Sequence, residues 1–251
     1  DFAADKMLSI TEQIESAKNR VSAKIKNGKY IAYFQSFTNT YGDIDYLRSI
    51  FTEAINHPDI VALSIGTRPD CLPDEVLNLL GELNKFKPVW VELGLQTIHE
   101  NTAKYINRGY TLDVFNTAVN NLNKINVDVI VHLIIGLPFE SKEDILESVK
   151  YVSSMNISGI KLQLLHVLKN TPLEKEYSLN KFEVLSMEEY VDIIAECLRY
   201  IPKSIVIHRL TGDGPKSILV APLWSGNKKA VLNYMNKRFN ELNVIQGSLC
   251  S

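Results

Sequence analysis

Trp90-Val91-Glu92-Leu93-Gly94-Leu95-Gln96 reads as a strand with two unlike faces. Strand side chains alternate sides, so Val91, Leu93 and Leu95 share one face and Glu92, Gly94 and Gln96 the other. The first face suits packing against helices. The second turns a carboxylate and an amide toward an interior. The run over 127–136 repeats the pattern, with Asp128, Ile130, His132, Ile134 and Gly136 in phase. Around these two strands, helix and strand alternate. Leu8, Ile10, Ile14, Ala17, Val21 and Ile25 recur at helical spacing and predict a helix over 6–26, stopped by Gly28. Further helices are predicted over 43–56, 73–85, 99–106, 112–124, 142–155, 186–200 and 227–240, with Asp43, Ser141 and Ser186 as N-caps and Pro73 in a first turn. Strands are predicted over 30–37, 60–65, 89–95, 127–135, 159–165 and 205–209. A strand and a helix recurring at roughly 30-residue intervals is the rhythm of parallel βα units. No GxGxxG turn follows the first strand, which argues against a dinucleotide-binding open sheet. The expected fold is therefore α/β, a partial (β/α) TIM-type barrel of mainly parallel strands with a C-terminal extension. Residues 1–202 are assigned to the barrel and 203–251 to the extension.

Composition narrows the function. The 251 residues, 45% of them apolar, suffice for one large core or two modest ones. A net charge of −2 excludes nucleic-acid binding by bulk charge alone and leaves a local basic patch open. The longest apolar run, 127–137, is broken by Asp128 and His132 and falls short of the ~18–20 residues of a membrane span. Cys71, Cys197 and Cys250 are scattered, with neither disulfide-framework nor metal-ligand spacing. They read as reduced thiols of a cytoplasmic protein. The chain opens on Asp1-Phe2-Ala3 without an initiator Met and is expected to be part of a longer polypeptide.

In a (β/α) barrel the site is built at the C-terminal ends of the strands. Glu92, Gln96, Ser64, His132, Lys161 and Gln163 fall on the inward phases of their strands. Burying such groups is costly unless they pair or bind something, so they either form a self-satisfied network or hold a polar ligand. The loops beyond the strands add Ser36-Phe37-Thr38-Asn39-Thr40-Tyr41, Gly66-Thr67-Arg68-Pro69-Asp70, Asn107-Arg108-Gly109 and Gly136-Leu137-Pro138. Arg68 and Asp70 are placed to pair with each other. Arg108 reads either as a surface residue or as a clamp for a carboxylate.

Taken together, residues 35–41 (QSFTNTY), 66–70 (GTRPD), 92–96 (ELGLQ), 107–109 (NRG) and 132–138 (HLIIGLP) resemble the radical S-adenosylmethionine (SAM) superfamily. The resemblance is to the branch that holds the elongator-type tRNA-modifying subunit and the oxygen-independent coproporphyrinogen oxidases. Within it, 208–215 (HRLTGDGP) and 221–224 (APLW) are similar to a bacterial family of elongator-like members. The resemblance implies that Thr38, Asn39 and Thr40 meet the amino end of SAM and that Gln96 lies near the ribose. It implies that Arg108 pairs with the SAM carboxylate and that Gly136, Leu137 and Pro138 lie against the adenine. Thr67 and Arg68 become further polar contacts to SAM or substrate. His132 stands where the coproporphyrinogen oxidases carry an Asp near the ribose.

The superfamily's CxxxCxxC loop, which binds a four-iron four-sulfur cluster, has no counterpart among Cys71, Cys197 and Cys250. The resemblance places that loop, with a first strand, upstream of Asp1. It implies an enzyme in the full-length form, inactive as this chain alone. There the reduced cluster cleaves SAM to a 5′-deoxyadenosyl radical, with flavodoxin or ferredoxin as electron donor. The alternatives are a SAM-binding pseudoenzyme and a non-redox barrel enzyme, with Lys161 as a Schiff-base residue or 212–214 as a phosphate loop. Kinship with the elongator branch suggests a tRNA nucleotide as substrate. Lys216, Trp224, Lys228, Lys229, Lys237 and Arg238 make the far end basic and partly aromatic, which suits RNA or, equally, a solvated helix face.

Overall fold

The computed structural model describes residues 8–21, 25, 28–35, 37–212 and 214–250. Asp1-Phe2-Ala3, Ser36, Asp213 and parts of the helix expected over 6–26 lie outside them. In chain order the elements are α1 (Ile10–Val21), β1 (Tyr30–Phe34), α2 (Ile44–Asn56), β2 (Ile60–Thr67), α3 (Asp74–Asn84), β3 (Val89–Gln96), α4 (Glu100–Tyr105), α5 (Leu112–Lys124), β4 (Asp128–Ile135) and α6 (Lys142–Ser153). There follow β5 (Gly159–Leu164), β6 (Val167–Leu168), α7 (Pro172–Ser178), α8 (Met187–Tyr200), β7 (Val206–Arg209), β8 (Leu219–Ala221) and α9 (Lys228–Glu241). Six parallel strands form one sheet in the order β1-β2-β3-β4-β5-β7. The fold is α/β, a partial (β/α) barrel, as expected. The first strand is shorter than expected, ending at Phe34. The elements β6, α7 and β8 had no counterpart in the sequence reading.

Contacts divide the chain into two compact units. The first holds the residues up to Gly94 together with Asp113–Ile130. In it β1 pairs with β2, Tyr33 opposite Ser64, and β2 with β3, Gly66 opposite Glu92. Helix α2 starts where the Asp43 carboxylate accepts the N–H groups of Asp45 and Tyr46, at 3.0 and 3.1 Å. Its Leu47, Phe51, Ala54 and Ile55 form the buried stripe, and Phe51 meets Phe34 edge-on at 5.0 Å. Its far end is closed by the Lys87 ammonium, which donates to the carbonyls of Ile55 (2.5 Å), His57 (3.2 Å) and Ile60 (2.7 Å). A cation there complements the helix dipole.

The second unit holds Leu95–Leu112 and the chain from Val131 onward. Ser141 and Ser186 each open a helix through a capping box, with Asp144 and Glu189 as the reciprocal partners. Helix α9 is tied to α8 by the Arg238 fork on Asp192, at 2.7 and 3.0 Å. A small apolar cluster joins Leu137, Leu165, Val167, Phe182 and Ala221. The GDGP motif has a steric reason here: a Cβ at Gly212 would stand 2.4 Å from the His166 ring, and one at Gly214 2.9 Å. Only glycine admits the imidazole.

Candidate functional site

The residues expected at the site fall in both units. In the first, the Asn39 side-chain amide donates to the carbonyls of Phe34 at 2.9 Å and Gly66 at 2.8 Å, stapling the loop after β1 to the end of β2. Thr40 and Thr67 are buried. The Thr40 hydroxyl donates to the Cys71 carbonyl at 2.5 Å, so the Thr67 hydroxyl is the donor in the 2.5 Å contact between the two threonines. Arg68 forks onto Asp70 at 2.9 and 2.7 Å. That guanidinium holds the Asp70 carboxyl below its ordinary range. Thr38 is half-buried beside Phe37, which is 89% exposed and left-handed at φ 63°. Positive φ is strained for a bulky residue.

On the strands of the same unit, Glu92 is 4% exposed. Its carboxylate accepts the hydroxyls of Ser64 and Tyr33, both at 2.7 Å. Two inward-phase groups of the sequence reading thus satisfy each other, with a tyrosine completing the set.

In the second unit, Arg108 is 5% exposed, so the surface reading of this residue is corrected. Its Nη1 donates to the carbonyls of Leu95 (3.5 Å) and Thr97 (2.7 Å), and its Nε to that of Tyr110 (2.9 Å). Its Nη2 meets the Glu100 carboxylate at 2.9 Å, and the guanidinium stacks on the Tyr110 ring at 5.1 Å. Leu95 and Thr97 flank Gln96, the last residue of β3, which is left-handed at φ 69°. Arg108 therefore holds the carbonyls on either side of the left-handed Gln96. On β4 and β5, the Gln163 amide donates to His132 Nδ1 at 3.1 Å. After β4, Gly136 turns at φ 85°, where a Cβ would press on Leu185 at 2.9 Å. Leu137 enters the apolar cluster, Pro138 is buried, and Phe139 at φ 68° sets its ring against Tyr105 at 5.2 Å. Left-handed backbone thus marks the C-terminal ends of β1, β3 and β4, the positions where barrel sites form.

Sequence reasoning passed over Thr97 and Glu140, although both sit beside quoted motifs. The Thr97 hydroxyl donates to Glu140 at 2.5 Å, joining the loops after β3 and β4. Burial raises the Glu140 pKa, against hydrogen bonds from Thr97 and Thr102 that lower it. An acid raised on folding binds more protons folded than unfolded, so its contribution is full below the ordinary glutamate value and lost as pH rises through the folded one. Glu140→Gln keeps an acceptor for Thr97 and removes the charge. Its stability relative to wild type should therefore increase from pH 4 to pH 7 in urea melts. A gap constant over that range would contradict the assignment.

The described residues do not fit an iron–sulfur cluster. Burial pushes the Cys197 thiol up to about 12, and thiolate is the metal-binding form. Cys71 is also raised, by burial first and by the Asp70 charge second. Cys250 is exposed near the far end of the chain. Two clusters have metal-like composition, Glu15–His57–Asp59 and His99–Asp144–Glu147. Their members have partners within the chain: Asp59 meets Lys18 at 2.7 Å, and His99 Nε2 meets the Asp144 carbonyl at 2.9 Å.

The chain is a partial (β/α) barrel with polar groups and left-handed turns at its strand ends, the ends at which sites form in barrels of this class. Residues 5–152 match the Radical SAM superfamily and residues 157–241 the Radical_SAM C-terminal domain. The chain belongs to the radical SAM superfamily. It is 44% identical to protein YtqA of Bacillus subtilis over 98% of this chain and 77% of that protein. It is 27% identical to a tRNA uridine(34) acetyltransferase of Methanocaldococcus jannaschii over 70% of this chain and 33% of that protein. Among solved structures it resembles archaeal Elp3 of Methanocaldococcus infernus, with a TM-score of 0.75 at 22% identity, covering 94% of this chain and 59% of that one. That likeness is one of fold. No described helix is long and apolar enough to cross a membrane.

Proposed function

We propose that the protein carrying this chain is a cytoplasmic radical SAM enzyme acting on a tRNA nucleotide. The observation that carries the reading is the set of polar and left-handed residues at the strand ends of a chain of this superfamily. A four-iron four-sulfur cluster, fed by a flavodoxin or ferredoxin, would supply the electron for reductive cleavage of SAM to a 5′-deoxyadenosyl radical. Its thiolates come from outside this sequence, since the three cysteines here do not fit. The edge strand β1, which leaves Ile31 and Tyr33 exposed, suits pairing with a further strand.

In this reading each unit contributes its own SAM contacts. Thr38, Asn39 and Thr40 serve the amino end, with Thr67 and Arg68 beside them. The buried Thr40–Thr67 pair and the Asn39 staple hold that loop in one conformation, so little ordering cost remains for binding. Gln96 and His132 serve the ribose, and Gly136, Leu137 and Pro138 the adenine. The Arg108 guanidinium serves the SAM carboxylate in the place now taken by Glu100. The barrel is assigned to 1–202 and an extension packed on it to 203–251, although the first strand of that extension, β7, completes the barrel sheet beside β5. The kinship with a tRNA uridine(34) acetyltransferase supports the choice of RNA.

The test uses the full-length protein, reconstituted with iron and sulfide without oxygen. With SAM and dithionite, 5′-deoxyadenosine is expected by chromatography. Its absence from a preparation shown spectroscopically to hold the cluster overturns the reading.

A further inference from the structure

We propose that Thr97 and Glu140, both in the second unit, are positioning residues for the adenosine part of the ligand: their bond fixes the spacing of two left-handed turns, at Gln96 and at Phe139. The proposal rests on the SAM reading above and names the groups that give that site its shape.

At Gln96 the backbone makes a three-residue turn. The Thr97 N–H donates to the Leu95 carbonyl at 2.9 Å, across a residue at φ 69°. A γ-turn of this hand is rare and strained, and such strain persists only where the surroundings over-determine it. Thr97 provides them. It is fully buried, and each of its polar groups is engaged. Its carbonyl accepts from Arg108 Nη1 at 2.7 Å. Its hydroxyl oxygen accepts the His99 N–H at 3.0 Å, and its hydroxyl proton goes to Glu140 at 2.5 Å. Arg108 and His99 follow β3, as Thr97 does. Glu140 comes from the loop after β4 and ties the turn to a second strand end.

Glu140 stands in the same relation to its own loop. It directly follows Phe139, left-handed at φ 68°, and its N–H closes a turn on the Leu137 carbonyl at 3.2 Å. Thr102, in α4, is a second hydroxyl on its carboxylate. One carboxylate thus joins two non-glycine residues at positive φ, each one position before its end of the bond. Neither glutamine nor phenylalanine has a local preference for that conformation. Two apolar side chains of like shape would join the loops at no greater cost, but a hydrogen bond also sets distance and direction. In the SAM reading Gln96 serves the ribose, and Gly136, Leu137 and Pro138 serve the adenine. The spacing that this bond fixes is then the spacing between the two halves of one nucleoside.

The test measures binding to the full-length, cluster-loaded protein by calorimetry without oxygen. The probes are SAM and 5′-methylthioadenosine, which keeps the adenosine part and lacks the amino acid. Thr97→Val removes the hydroxyl and keeps the shape. It should weaken both probes by the same factor, about tenfold, because affinity falls with the fraction of molecules that hold the competent turn. Thr97→Ser and Glu140→Gln keep the donor and the acceptor and should bind as wild type does. Thr97→Val combined with Glu140→Ala should bind no more weakly than Glu140→Ala alone, since one bond is lost in both. Unchanged affinity in a folded Thr97→Val overturns the proposal. So does a weakened SAM with methylthioadenosine unaffected, which would put the effect at the amino-acid end. Should Thr97→Val fail to fold, Glu140→Ala against Glu140→Gln makes the same comparison, and equal affinities there overturn it. Wild-type protein that binds neither probe overturns the SAM reading itself, an outcome distinct from wild-type binding that the variants leave untouched.

Discussion

Arg108→Ala is expected to cost about 3 kcal/mol of folding stability, the sum of several lost charge-assisted bonds partly offset by rehydration. The side chain is 1% exposed. Its removal strips the donor from the carbonyls of Thr97 and Tyr110. It also leaves Glu100 with only the Leu112 N–H, at 2.7 Å, among these contacts. Glu100 is partly exposed and regains water, so the carboxylate adds little to the cost. Arg108→Lys should recover less than half. One ammonium cannot span three carbonyl directions and a carboxylate that a planar fork reaches together. Urea denaturation with an unchanged m-value checks both variants. A loss under 1 kcal/mol for alanine would show that the strand end holds without the fork. SAM affinity then tells two roles apart. If Arg108 only shapes Gln96, lysine and alanine lose affinity in proportion to lost stability. If it also meets the SAM carboxylate, lysine retains affinity beyond its recovered stability.

Arg108 also shows what sequence does and does not carry. Its neighbours Asn107 and Gly109 announce a turn, and the turn is there, with both residues left-handed. The fork's partners are backbone carbonyls, which have no residue identity to read. The left-handed Gln96 is equally silent, because glutamine has no local preference for that conformation. By contrast, Asp43, Ser141 and Ser186 were legible as caps, since a cap is a local bond between near neighbours. The alternation around Glu92 placed it correctly because period two is fixed by backbone geometry. The β6–β8 pair escaped because its few residues show no period and its partners, Val167 and Ala221, lie far apart in the chain. Helix α7 did leave a signal, Thr171 as N-cap before Pro172, but seven residues gave it too little periodicity.

Glu92→Ala is the second large effect, about 3 kcal/mol from a cavity and an orphaned buried hydroxyl together. Ser64 is 3% exposed and its hydroxyl loses its acceptor once the carboxylate is gone. Tyr33 is 40% exposed, so its hydroxyl rehydrates and Tyr33→Phe should cost under about 1 kcal/mol. Glu92→Gln should fall near 1 kcal/mol. Its carbonyl still accepts one hydroxyl, and the other turns to accept from the new N–H. The double variant Ser64→Ala, Glu92→Ala should be less destabilised than the sum of the two single changes, because the same bond is counted in both. Strict additivity in urea melts would contradict the 2.7 Å Ser64–Glu92 contact as an energetic link. The outcome bears on function. A carboxylate held between two of the chain's own hydroxyls is part of the frame, and its loss is felt in stability first. Beyond the strand ends the polar residues differ in kind: Asn39 staples its loop to backbone carbonyls, and Gln96 and Gly136 are left-handed. One strand thus carries Glu92 and Gln96 on the same phase in two different states, the first locked between hydroxyls and the second left-handed at the strand end, between two carbonyls that the Arg108 fork holds.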